Sequence, residues 1–279
     1  MVEGWIPKSL NEALYIRHNY DCNIVAGGTD MLVKHKQPAG VKIGFRSSIL
    51  YLSHISELDS IQIKDKYLCI GAITPLEKIL HHPNTPNLLK KVIREMASPA
   101  IRHTATLPGN IANASPAGDS LVALYLLDAV VKIQSVKQTR FCLVSDFILD
   151  VKKCDIKSDE IISEVRIPIQ SFSKEYYVKV APRKSDAISK VSFAGTVTLK
   201  GNVISDLRIA IGAVGRTVVR NREIEKKYIG LDRLKLKLML SNILGDYRDE
   251  IRPIDDQRST KIYRKKVAKN LIKDFINSI

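Results

Sequence analysis

The sequence predicts an α+β protein built from two parts. In the first 168 residues, short β-branched runs alternate with capped amphipathic segments, a pattern typical of strands that alternate with helices. After Pro168 the runs become long strands, and Gly201-Asn202 between two of them is a β-hairpin signal. Helical patterns close the chain after Arg222. We therefore expect one domain over residues 1–170 and a second, smaller one over residues 171–279.

Two capping patterns predict where the first helices begin. Ser9 and Glu12 form a capping box ahead of an apolar stripe. Thr74 and Glu77 repeat the pattern, and Pro75 is suited to the first helical position between them.

The remaining elements follow from apolar periodicity and from breaker residues. A short amphipathic helix is expected over residues 87–97, and Asp119 is placed as the N-cap of a buried helix. Between them, residues 104–120 (TATLPGNIANASPAGDS) read as a polar loop. Strands are expected at residues 23–26, 68–73, 129–135, 160–167, 175–181, 188–201 and 202–214.

Composition excludes several classes of protein. The chain has 279 residues, of which 45% are hydrophobic and 26% charged, a normal globular mix. No apolar run approaches the roughly 18 residues that span a bilayer, and no signal-peptide core is present, so we expect a cytoplasmic protein with no membrane span. The four cysteines lie far apart without a CxxC pair, which argues against a disulfide framework, a metal site or an iron–sulfur cluster in this chain alone.

The net charge invites a second interpretation. The 44 basic and 29 acidic residues give +15, which would suit a nucleic-acid-binding module without a cofactor. However, the basic residues are spread over apparent helices without interleaved aromatic residues. They are more typical of a solvated or partner-binding face, so we expect no nucleic-acid partner.

Two polar segments point to a ligand. Residues 26–30 (AGGTD) follow a capped helix-strand unit and residues 104–120 precede a buried helix; both are rich in Gly, Thr, Asn and Ser but poor in catalytic side chains. Backbone N–H groups of glycine turns form anion-binding concavities, so two such loops would suit a pyrophosphate. A neighbouring carboxylate would suit ribose or ribityl hydroxyls. Each segment alone could be a simple turn; together they favour a cofactor site.

Several short motifs follow one another along the chain. They are residues 26–30 (AGGTD), 106–111 (TLPGNI), 114–119 (ASPAGD), 164–168 (EVRIP), 181–186 (APRKSD), 211–214 (IGAV), 256–259 (DQRS) and 263–264 (YR). In this order they resemble a known family, the flavin-binding medium subunits of molybdenum hydroxylases of the xanthine, carbon monoxide and nicotinate dehydrogenase types. The resemblance covers essentially the whole chain.

The resemblance implies a fold, a cofactor and partners. The fold would be an FAD-binding domain of the vanillyl-alcohol-oxidase type, followed by an α/β domain with an antiparallel sheet. This chain would carry FAD, while iron–sulfur clusters and molybdopterin would lie on two partner subunits. It would accept electrons from the clusters and pass them to NAD or another acceptor, with a xanthine or purine substrate favoured for the complex.

The resemblance also implies which residues contact FAD. A first loop would wrap the pyrophosphate, a second wall would face it, and four further residues would contact ribityl, phosphate, adenine or flavin groups. No catalytic side chain and no metal ligand is implied. The residues are, in that order, Val25, Ala26, Gly27, Gly28, Thr29, Asp30 and Met31; Thr106, Leu107, Gly109 and Asn110; and Asn113, Asp119, Ile162 and Lys179.

One residue departs from the family pattern. Relatives usually carry Gly where this chain has Pro108, and proline lacks a backbone N–H, so the second loop offers one donor fewer. A self-contained flavin-dependent oxidoreductase of the same superfamily stays open as an alternative function.

Overall fold

The computed structural model describes residues 3–35 and 44–279. The strands within these residues are β1 Gly4–Trp5, β2 Cys22–Val25, β3 Ser48–Tyr51, β4 Ile61–Lys64, β5 Tyr67–Gly71, β6 Val130–Gln134, β7 Thr139–Leu143, β8 Ile148–Asp150, β9 Lys153–Cys154, β10 Ile161–Pro168, β11 Lys174–Val180, β12 Val191–Lys200 and β13 Val203–Gly212. The helices are α1 Leu10–Asn19, α2 Met31–Lys34, α3 Leu76–His81, α4 Asn87–Arg94, α5 Pro99–Arg102, α6 Leu107–Ala112, α7 Asp119–Leu126, α8 Val144–Phe147, α9 Arg222–Lys226, α10 Arg233–Leu238, α11 Leu240–Asp246 and α12 Lys261–Ser278.

Contacts divide the chain into two compact units. The first comprises Met1–Thr85, Ala97–Asn113 and Ala129–Pro168, and the second Pro86–Met96, Ala114–Asp128 and Ile169–Ile279. Helices α4 and α7 therefore group with the second unit, although they precede residue 170 in the sequence. The domain boundary between residues 170 and 171 stays a prediction.

The first unit contains a parallel and an antiparallel sheet. The parallel sheet has the strand order β1-β3-β2, and the five-stranded antiparallel sheet has the order β4-β5-β10-β6-β7. Strands β8 and β9 form a separate small hairpin. Helix α1 buries Ala13 and Leu14 in a cluster with Leu50 and Leu52, so the capped N-terminal helix covers the end of the parallel sheet.

The second unit is built around an antiparallel sheet of order β11-β12-β13. The central strand β12 contacts both α7 and α12, which explains why its residues form a nearly continuous buried run rather than an alternating one. At Gly195 a Cβ would lie 2.7 Å from ring atoms of Phe275, so α12 packs directly on the backbone of β12. The turn between β12 and β13 is Gly201-Asn202, with Gly201 at φ +62°, which confirms the predicted hairpin.

One predicted helix start is confirmed and two are wrong. Ser9 caps α1 as predicted, since its Oγ accepts from the N–H of Glu12 at 3.2 Å. Thr74 does not cap α3; the N-cap is Pro75, and the Thr74 hydroxyl donates to the Ser60 carbonyl instead. Tertiary contacts outcompete the local capping pattern there.

Asp119 is also not an N-cap. The N-cap of α7 is Gly118, and Asp119 is the first helical residue. Similarly, the segment expected to be a continuous polar loop contains α6, because Thr106 caps a short helix inside it. Within the described ranges, no helix has the length and apolar character that crossing a bilayer requires.

Candidate functional site

The first loop connects β2 to α2 in the first unit. Val25 ends the strand, and Gly28 adopts φ +70°, a conformation that favours glycine. The carbonyl of Gly28 then accepts from the N–H of Leu32 at 2.9 Å, which starts the short helix beginning at Met31. The second glycine is thus required by the backbone path of the turn.

This loop carries a set of backbone donors that suits an anion. Among the hydrogen bonds within residues 3–35 and 44–279, none has the N–H of Gly27, Gly28, Thr29 or Asp30 as its donor. Gly27 to Thr29 are half-buried and Asp30 is exposed, so the loop is only partly covered by the rest of the protein. Successive free N–H groups in a turn are the donors that phosphate oxygens accept from, and the arrangement fits a pyrophosphate.

The other glycine brings the second predicted loop against the first. A Cβ on Gly27 would lie 2.0 Å from the carbonyl oxygen of Thr104 and 3.1 Å from the Cα of Ala105. No side chain fits in that space, and the two backbones are in direct contact. The two polar segments, 77 residues apart (104 − 27), therefore meet in the first unit.

Helix α6 forms most of the second predicted wall. The Thr106 hydroxyl accepts from the N–H of Gly109 at 3.1 Å, and the Thr106 carbonyl accepts from the N–H of Asn110 at 3.0 Å. Leu107 is fully buried, so it can offer only backbone atoms to a ligand. The N–H groups of Gly109 and Asn110 are used inside the helix, which leaves fewer donors on this wall than on the first loop.

Pro108 fits this helix without strain on its hydrogen bonds. It occupies the second position of α6, in the first turn, where a backbone N–H has no intrahelical acceptor. The missing donor therefore costs the helix nothing, although it removes one group that a ligand could have used.

Asn113 follows α6 and joins three segments of the first unit. Its Oδ1 accepts from Lys34 Nζ at 3.1 Å and from Lys152 Nζ at 2.6 Å. Lys34 also pairs with Asp30 at 2.5 Å, so Asn113 is linked to the end of the first loop.

Ile162 lies on β10, the central strand of the five-stranded sheet, and is buried. Helix α6 contacts this strand, which places Ile162 on an element that supports the second wall.

The other two predicted residues form a buried ion pair in the second unit. Lys179 Nζ lies 2.8 Å from Asp119 Oδ2, and only 4% and 10% of the two side chains are exposed. The second carboxylate oxygen accepts from the Ser189 hydroxyl at 2.5 Å, while Lys179 also donates to the Glu95 carbonyl at 2.8 Å. Burial raises the pKa of the nearby Glu95 carboxyl. The salt bridge thus links strand β11 to helix α7.

Burial disfavours the reactive thiolate form at three of the four cysteines. All four are free, and burial raises the pKa of Cys69 and Cys142 and raises that of Cys154 to about 11. Across residues 3–35 and 44–279, no three or more His, Cys, Asp or Glu side chains are grouped so as to hold a metal ion.

Three residues that contact the predicted site residues were not predicted from the sequence: Lys34, Lys152 and Ser189. Lys34 carries a weak signal, because it stands four residues after Asp30 in a helix. Lys152 and Ser189 carry none, since they reach Asn113 and Asp119 from 39 and 70 residues away.

Comparison with known proteins gives two family matches that span nearly the whole chain. Residues 1–170 match the FAD binding domain in molybdopterin dehydrogenase, and residues 176–279 match the CO dehydrogenase flavoprotein C-terminal domain.

Curated relatives and solved structures are similar over the same length. The glyceraldehyde dehydrogenase medium chain of Sulfolobus acidocaldarius is 29% identical, over 95% of this chain and 93% of that protein. The nicotinate dehydrogenase FAD-subunit of Eubacterium barkeri is 27% identical, over 97% and 93%. In fold, a quinoline 2-oxidoreductase chain from Pseudomonas putida 86 has a TM-score of 0.85 at 22% identity, covering all of this chain and 96% of that one.

Proposed function

Because the chain belongs to the family of FAD-binding subunits of molybdopterin dehydrogenases, we propose that it is the electron-transfer subunit of a molybdenum hydroxylase. FAD is the cofactor of this chain. The observation that carries the proposal is the first loop, whose N–H groups at residues 27–30 donate to no described group and whose Gly27 backbone contacts the second loop at Thr104.

The residues of the chain would bind and orient the cofactor rather than react. The N–H groups of residues 27–30 would bind the pyrophosphate. Thr106, Gly109 and Asn110 would form the wall that faces it. The family resemblance further suggests Asp119 for ribityl or phosphate-proximal groups and Lys179 for the flavin. When bound, FAD supplies one- and two-electron redox chemistry, and the protein supplies position and electrostatics.

The proposed partners are an iron–sulfur subunit and a molybdopterin-binding subunit. The names of the relatives support this, since they are described as medium chains or FAD-subunits of larger dehydrogenases. This chain would accept electrons from the clusters and pass them to NAD or another acceptor. We place the complex in the cytoplasm, where NAD is available.

The substrate would be bound by the molybdopterin subunit. We favour a xanthine or purine, and the relatives add a sugar aldehyde and nicotinate as further candidates.

The experiment is purification of the tagged full chain from its native host. We expect iron- and molybdenum-containing subunits to co-purify, and the flavin absorbance to bleach when the complex receives its substrate. Xanthine, nicotinate and glyceraldehyde would be tried in turn. Purification of the chain without any iron would contradict the proposal. Substrate turnover by the chain alone would favour a self-contained flavoenzyme.

A further inference from the structure

Two ammonium groups meet on one amide oxygen beside the first loop. Asn113 Oδ1 lies 3.1 Å from Lys34 Nζ and 2.6 Å from Lys152 Nζ. Both lysines can therefore act on the same small region of the first unit, although they come from α2 and from the turn of the β8–β9 hairpin.

The charges in this cluster do not cancel. Lys34 is neutralised by Asp30 at 2.5 Å. Within residues 3–35 and 44–279, no carboxylate lies within ion-pair distance of Lys152, whose hydrogen-bond acceptor is the neutral amide of Asn113. Partial removal from water and the charge of Lys34 lower the pKa of Lys152 more than the nearby Asp30 carboxylate raises it, so the net shift is downward.

The Lys152 side chain starts from the tight turn between β8 and β9. Lys152 adopts φ +58°, the left-handed region in which Gly or Asn costs less than lysine. The turn is held by the Asp150 carboxylate, which accepts from the N–H of Val151 at 2.7 Å. Lys66 adopts φ +65° in the turn between β4 and β5, so this conformation belongs to the hairpin turn and does not itself indicate a ligand.

A phosphate group matches both parts of this arrangement. Asp30, which pairs with Lys34, ends the loop whose N–H groups at Gly27 to Asp30 are free. Backbone donors together with a lysine are a recurring way to bind phosphate, because N–H groups fix the oxygens and the ammonium supplies charge.

We propose that Lys152, oriented by Asn113, is a positioning residue for the phosphates of FAD bound at the first loop. This inference rests on the proposed function. The ion pair with Asp30 holds Lys34 in place. Lys152 supplies a positive charge that has no ion-pair partner among the described residues.

The test is titration of the flavin-free full chain with FAD, followed by flavin fluorescence. We expect Lys152→Gln to weaken FAD binding about 10-fold, the usual effect of one charge-assisted hydrogen bond. The salt dependence of FAD binding should also become shallower, because one screened attraction is lost. Riboflavin has no phosphate, so its affinity should not change.

Two matched variants accompany this test. Lys153→Gln removes the adjacent exposed charge on β9 and should bind FAD as the wild type does. Lys152→Arg keeps the charge and should recover most of the lost affinity, a rescue that a purely structural role would not give.

The outcomes of this titration distinguish failure of the inference from failure of the proposed function. If the wild type binds FAD, but Lys152→Gln binds it equally well with the same salt dependence, the inference is overturned and the proposed function stands. An equal loss of FAD and riboflavin binding would also overturn it. Failure of the wild type to bind FAD would remove the proposed function itself.

Discussion

Lys179 and Asp119 form an ion pair 2.8 Å long that is almost fully withdrawn from solvent. Burying two charges is costly, and the pair compensates that cost only while both partners and their hydrogen bonds are present. Ser189 and the Glu95 carbonyl complete these bonds. The pair therefore links helix α7 to strand β11 within the second unit.

Asp119→Asn should therefore destabilise the second unit by about 3 kcal/mol, because it leaves the Lys179 ammonium buried without a counter-charge. Urea unfolding of the full chain measures this change. Combining it with Lys179→Met should restore part of the loss, because no lone charge is then buried. Equal stability of the single variant and the wild type would contradict this reading.

Gly27→Ala should disturb the contact between the two loops. The new Cβ would meet the Thr104 carbonyl at 2.0 Å, so one backbone must move, at about 1–3 kcal/mol for an overpacked site. We expect lower stability and weaker FAD binding, measured by thermal unfolding and by flavin fluorescence.

Gly245→Ala is the matched control for this substitution. A Cβ at Gly245 meets no atom within 4 Å, and the residue is exposed on α11, so the variant should be as stable as the wild type or slightly more stable. If both alanine variants behaved alike, the close approach at Gly27 would not matter.

Thr106→Ala tests the helix at the second wall. Removing the hydroxyl leaves the Gly109 N–H without its 3.1 Å acceptor and should lower the free energy of unfolding by about 1 kcal/mol. Thr106→Ser retains the oxygen and should keep most of the stability. Chemical denaturation of both variants decides the point, and an equally large loss in the serine variant would assign the effect to the methyl group.

The acid stability of the first unit should depend on Glu160. Both Glu160 oxygens accept from Arg140 at 2.8 Å, and this hydrogen bonding is the main reason that the pKa of the carboxyl lies below its ordinary value of 4.5. Because the folded pKa is the lower one, the stabilisation is complete above the unfolded value. It is lost as the pH falls below 4.5 through the folded value.

Replacing this carboxylate tests the direction of the predicted pH dependence of stability. Glu160→Gln should lower stability at neutral pH by about 2–3 kcal/mol, since the Arg140 charge loses its main partner. The difference from the wild type should shrink on acidification. Unfolding curves from neutral pH down to about pH 3 measure it; a difference that grows in acid would contradict the assignment.

Local patterns in the sequence were sufficient to predict several elements. The hairpin at Gly201 and the cap at Ser9 both depend on neighbouring residues only. The family fold followed from motif order, and the matches to both domains confirm it.

Features that depend on distant partners could not be predicted in the same way. Thr74 has a capping pattern, yet its hydroxyl bonds to Ser60. Asp119 resembles an N-cap, yet its carboxylate binds Lys179 and Ser189 instead. Lys152 reaches Asn113 from another hairpin. In each case, a tertiary hydrogen bond decides the outcome, and no sequence window contains both partners.

The most direct test of the account is the visible spectrum of the purified full chain, followed by identification of the molecule released on denaturation. We expect a yellow protein that releases FAD. A colourless chain that also fails to take up added FAD would contradict it, and the free N–H groups beside Gly27 would then belong to a turn without a ligand.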